Sequence, residues 1–132
     1  MNNILSYLGN DFTIVDLGSG FAESSAALKP FHPAITCVEL DAANRSNRNP
    51  LDYKRHECIT KAVAGVSGKQ TLYNRAMPNA SSLTPTRAEL VHAYGLERFL
   101  EIKSQETVAA VSLSELLESL QLSQVDWLKT DS

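Results

Sequence analysis

The chain predicts an α/β fold built on a mainly parallel sheet. Three observations carry that expectation. Apolar, β-branched runs of strand length recur at 12–17, 34–39, 58–64 and 125–131. Most connections between them are long enough to hold a helix, and such connections join parallel neighbours through right-handed crossovers. Three of the runs also deliver an acid toward one edge of the sheet: Asp16, Glu39 and Asp131. Ligands of open α/β sheets lie at that carboxyl edge.

The first run leads into Asp16-Leu17-Gly18-Ser19-Gly20, followed by a small-residue segment. This reads as a buried strand, a tight turn and the start of a helix. Glycine permits positive φ and lets a ligand approach bare backbone, while amides at a helix start favour anionic or polar groups. Glu39 follows Gly18 by 21 residues, close to the spacing at which a second-strand acid meets ribose hydroxyls. A carboxylate there accepts from both hydroxyls and repels a 2′-phosphate. The set suggests a nucleotide-like ligand with a cationic or polar tail held by Asp16.

The remaining elements follow in order. Residues 2–9, within a leading extension 1–11, read as a short helix stopped at Gly9-Asn10. Residues 21–28 read as a helix stopped before Pro30, and residues 42–55 are ambiguous because Pro50 interrupts a polar stretch. Gly65-Val66-Ser67-Gly68 reads as a reversal that makes 69–73 a hairpin partner of the third strand. Residues 74–83 read as a polar loop. Thr84-Pro85 predicts a helix to about Tyr94, stopped by Gly95. Residues 99–111 read as extended and antiparallel to 69–73. Ser112-Leu113-Ser114-Glu115 is a capping box opening a helix with Leu113, Leu116, Leu117 and Leu120 on one face.

Composition narrows the function classes. The chain has 132 residues, 43% of them hydrophobic and 20% charged, which suits one packed domain. Its net charge of −3 gives no general attraction to nucleic acid or anionic membranes. Arg45, Arg48, Lys54 and Arg55 lie among Asp52 and Glu57, a pattern of a solvated face. No apolar run reaches membrane-spanning length, and residues 1–11 lack the regions of a signal peptide. Cys37 and Cys58 lack CxxC spacing and read as buried, reduced thiols of a cytoplasmic protein ahead of a disulfide or metal site. His32, His56 and His92 are scattered and read as surface histidines, with no metal cluster implied.

The ordered motifs resemble the FkbM-type family of class I S-adenosylmethionine-dependent methyltransferases. Asp16-Leu17-Gly18-Ser19-Gly20 resembles the first cofactor motif. Cys37-Val38-Glu39 with Asn44 resembles the second-strand segment, and Lys61-Ala62-Val63 with 67–73 resembles the third strand and hairpin. Ser81-Ser82-Leu83 matches the loop that follows, and Trp127-Leu128-Lys129-Thr130-Asp131 the fourth-strand segment. Three positions depart from the pattern: Ala22 replaces a glycine, Leu40 a proline and Ser114 an acid.

The resemblance implies a Rossmann-like class I sheet with an antiparallel excursion, truncated after the fourth core strand. It further implies that Asp16 meets the methionine part of S-adenosylmethionine and that the backbone at Gly18, Ser19 and Gly20 passes beneath it. Glu39 would hold the ribose, with Leu40 and Ala62 bordering the adenine. Asp131 would be the base or orienting acid beside the methyl group, and the acceptor a hydroxylated small molecule or sugar. The family's fold continues beyond this point, so the resemblance marks residues 1–132 as the cofactor-binding part of a methyltransferase domain, expected to bind cofactor without turnover. An open fourth-strand edge carrying Trp127 and Leu128 would favour self-association. Two other classes share parts of the pattern. One is a nicotinamide-dependent oxidoreductase, against which Glu23 stands at the third glycine position of GxGxxG. The other is a non-catalytic cofactor-binding module.

Overall fold

The computed structural model describes residues 12–18, 26–43 and 52–130. In chain order the elements are β1 (Phe12–Leu17), a 3-10 helix (Ala26–Ala34), β2 (Ile35–Leu40), β3 (Arg55–Ile59), β4 (Ala62–Val63) and β5 (Gly68–Arg75). A 3-10 turn (Pro78–Ala80), α1 (Ala88–Ala93), α2 (Glu97–Leu100), β6 (Ile102–Val111), α3 (Leu113–Ser119) and β7 (Trp127–Thr130) complete the order.

The apolar β-branched runs form a four-stranded sheet ordered β3-β2-β1-β7, with every pairing parallel. This is the expected order of third, second, first and fourth strands. Both faces of its centre are covered, as a parallel sheet requires. On one face Val15, Leu17, Val38 and Leu40 pack with Val111 and with Leu116 of α3. On the other, Ile14, Ile35 and Cys37 pack with Phe12, Tyr53, and Leu28 and Phe31 of the first 3-10 helix. The start of β7 is tied to β1 by a two-way clasp. Thr13 N–H donates to the Asp126 carboxylate at 2.8 Å, and Asp126 N–H donates to the Thr13 carbonyl at 3.0 Å. Trp127 and Leu128 stand about half exposed on the β7 edge.

A second, mixed sheet is ordered β4-β6-β5. The expected third strand over 58–64 is divided here. Lys61 N–H donates back to the Ile59 carbonyl at 3.0 Å, which turns the chain out of the first sheet, and β4 then pairs parallel with β6. Gly68, at φ 133°, starts β5, which runs antiparallel to β6. The segment 69–73 is therefore a partner of β6 and not of the third strand, because β6 lies between β4 and β5.

Two helix expectations and one strand boundary are corrected, and one helix expectation is refined. The helix expected to stop before Pro30 does not: residues 26–34 run through Pro30 and Pro33 as a 3-10 helix. The helix expected from Thr84 begins at Ala88. Arg75 donates to the carbonyls of Ala80 and Thr84, and Thr84 N–H donates to Ser82 Oγ, so residues 81–84 are held beside β5, where Ser82 bridges Tyr73. Gly95 does stop α1, at φ 63°, with Leu96 N–H returning to the Val91 carbonyl at 2.9 Å. The extended segment expected from residue 99 starts at Ile102, after the single turn of α2. The capping box at Ser112 forms with an added member. Ser112 Oγ accepts from Glu115 N–H at 3.2 Å, but Ser112 N–H donates to Ser67 Oγ, and the Ser67 hydroxyl donates to the Glu115 carboxylate. Ser67 thus bridges the two halves of the box. The expected helix at 2–9, residues 21–25 of the helix expected over 21–28, and most of the ambiguous stretch before β3 lie outside the described residues.

Candidate functional site

Parallel register places Lys129, Asp16, Glu39 and Cys58 side by side on β7, β1, β2 and β3. Registered residues of parallel strands face the same side, so these four make one polar row near the strands' carboxyl ends. Asp16 and Glu39 are each 1% exposed. Two neighbouring carboxylates at that depth need compensating donors. Lys129 Nζ lies 3.0 Å from Asp16 Oδ1, and His56 Nε2 lies 3.0 Å from Glu39 Oε2. Asp16 Oδ2 is buried with no hydrogen-bond partner among the described residues. Buried acceptors are nearly always satisfied, so this oxygen marks a place for a donor. Immediately beyond it, Gly18 adopts φ 83° and donates its N–H to the Leu40 carbonyl at 2.8 Å. That bond docks the turn against the end of β2 and requires a left-handed backbone that favours glycine.

The row beneath pairs Ile14 with Trp127 and Cys37, and Cys37 with His56. The Tyr53 ring connects two histidines, at centroid distances of 4.1 Å to His32 and 5.1 Å to His56. His32 is 5% exposed. Burial holds its pKa below 6.5, Lys29 and His56 lower it further, and Asp52 acts in the opposite sense. The expectation of surface histidines is therefore corrected at His32 and His56, while His92 remains exposed beside Glu97. Cys37 is buried as expected, but Cys58 is exposed, because the chain pairs from Arg55 and carries Cys58 to the rim of the row. Cys58 Sγ lies 3.7 Å from Glu39 Oε2 and 3.5 Å from His56 Nε2. Arg55 pairs with Glu57 at 3.0 Å in the solvent-exposed part of the basic stretch.

Of the residues singled out from sequence, Asp16 and Glu39 come together and Gly18 adjoins them. Leu40 is 1% exposed and packs in the core on the opposite face of the sheet. Ala62 is half-buried in β4 and pairs with Ala110 in the second sheet, so neither joins the row. Ser19, Gly20 and Asp131 lie outside the described residues. Sequence reasoning missed Lys129, His56 and Cys58 as members of the site. The two-residue spacing of His56-x-Cys58 and of Cys37-x-Glu39 is the signal that puts each pair on one face of its own strand, and the register brings the two pairs together. A hollow lined by Thr86, Val91, Leu100 and Ile102 shares no residue with the row. Among the described residues no helix is long and apolar enough to cross a membrane. Comparison with protein-family models, curated proteins and solved structures gives no match to this chain.

Proposed function

We propose that the chain binds S-adenosylmethionine as a methyltransferase of FkbM type, acting on a hydroxyl of a small molecule or sugar. One observation carries the reading. A buried carboxylate with an unpartnered oxygen, Asp16, adjoins a second buried carboxylate, Glu39, at the carboxyl ends of parallel strands and just before a positive-φ glycine. The arrangement suits a ligand that offers an ammonium to Asp16 and vicinal hydroxyls to Glu39. Lys129 holds Oδ1 of Asp16 and so fixes Oδ2 toward the incoming donor. His56 orients Glu39 in the same way from the other side.

The cofactor supplies an electrophilic methyl on a sulfonium. The protein's work is then alignment of acceptor oxygen, methyl carbon and sulfur. A hydroxyl acceptor also requires removal of its proton, the role that the resemblance gives to Asp131. Titration of S-adenosylmethionine, its demethylated product and NAD into the chain, side by side, tests the reading. Binding of the first two without NAD supports it. Tighter binding of NAD favours a nicotinamide-dependent oxidoreductase and overturns it.

A further inference from the structure

We propose that Cys37, Glu39, His56 and Cys58 form a binding site for a divalent cation of the zinc class. The four residues occupy a two-by-two block on one face of two adjacent parallel strands. Cys37 and Glu39 are two apart on β2, His56 and Cys58 are two apart on β3, and the register pairs Cys37 with His56 and Glu39 with Cys58. Ligand atoms of Cys37, Glu39 and His56 all lie within 4.8 Å of one another. Cys58 adds a sulfur 3.5 Å from His56 Nε2 and 3.7 Å from Glu39 Oε2. Zinc bonds of about 2.0 Å to N or O and 2.3 Å to S give tetrahedral edges of roughly 3.3–3.8 Å. Two of these three separations fall in that range, and the His56–Glu39 separation of 3.0 Å opens to it by a small side-chain rotation.

The donor chemistry selects the cation. Two thiols, one imidazole and one carboxylate suit zinc or cobalt, whereas magnesium and calcium prefer oxygen ligands throughout. Burial at Cys37 and Glu39 removes competing water, and the Tyr53 ring packed on His56 limits its rotation. His56 ligates through Nε2 with its proton on Nδ1, and each thiol releases its proton to solvent as it binds. Strands hold the two donor pairs, so the block is fixed by the same register that forms the sheet. The site uses Glu39, which the methyltransferase reading gives to the ribose, but it stands on the four donors alone.

Cobalt titration into the full chain, reduced and free of nucleotide, tests the proposal. A thiolate-to-cobalt charge-transfer band with tetrahedral visible absorption, saturating at one equivalent and displaced by zinc, is expected. His56→Gln should abolish the tetrahedral spectrum. Cys58→Ser, at an exposed rim position, should fold normally and weaken the charge-transfer band by loss of one thiolate. Absence of the band in folded wild type overturns the proposal, as does a spectrum unchanged in both variants. Because no nucleotide is present, either result leaves the methyltransferase reading to be judged by its own titration.

Discussion

Strands β1 and β2 each bury five of their six residues, whereas β5 buries only Leu72 among its eight. The two regions therefore place polar side chains under opposite rules. In the β5–β6 ribbon, pairs such as Asn74 with Glu106 meet in solvent, where water can replace either partner. In the parallel sheet, Asp16 and Glu39 are cut off from water, so each depends on a specific donor from the neighbouring strand. A polar row in the covered sheet is costly unless it is completed. That cost is what separates a candidate binding site from an exposed polar strand.

The largest expected contrast between the regions is in packing. Leu116→Ala removes a side chain that is 2% exposed in the core over β1 and β2, and should lower stability by about 2–5 kcal/mol. Thr71→Ala, on the exposed side of β5, should change it by less than about 0.5 kcal/mol. Urea unfolding of both variants checks this, and equal losses would mean that the two sheets are packed alike at these positions.

A second contrast appears on acidification. His32 is buried with a pKa below 6.5, so the unfolded chain takes up its proton before the folded one. Its effect on stability is absent above 6.5 and becomes a loss as the pH falls from 6.5 toward the folded pKa. His32→Phe should flatten the pH dependence of the urea midpoint in that window. A slope identical to wild type would remove His32 as its source.

The smallest effect belongs to the exposed pair on α1 and α2. The Glu97 carboxyl is held below 4.5 by its backbone hydrogen bond and then by His92. His92→Ala should move it part of the way back toward 4.5 in an NMR titration, with stability unchanged. A large fall in stability would mean that this surface pair is coupled to the core.

Much of the parallel sheet was legible because β-branched runs with helix-length connections admit few arrangements. Asp16, Gly18 and Glu39 were legible as a group because a strand end, a turn and a second strand end stand at fixed spacing. The third strand was misjudged because Arg55, His56 and Glu57 are polar, so local composition concealed a strand held by pairing with β2. The helix at Thr84 gave way to hydrogen bonds from Arg75, far away in local pattern but adjacent in space. Lys129 and His56 were overlooked as site members for the same reason. Their partners are set by register, which no single segment encodes.

The proposed function makes the Asp16–Glu39 pair a ligand site and not a structural polar row. It is tested most directly by calorimetric titration of S-adenosylhomocysteine into wild type, Glu39→Ala and Asp16→Asn, with a chelator present to keep metal off Glu39. Wild type should bind, and loss of the charge-assisted ribose hydrogen bonds in Glu39→Ala should cost about 1–3 kcal/mol of affinity. Asp16→Asn should weaken binding as well, through loss of the ammonium's anionic partner. Equal affinity across all three folded proteins, or no binding to any of them, would mean that the pair holds no such ligand.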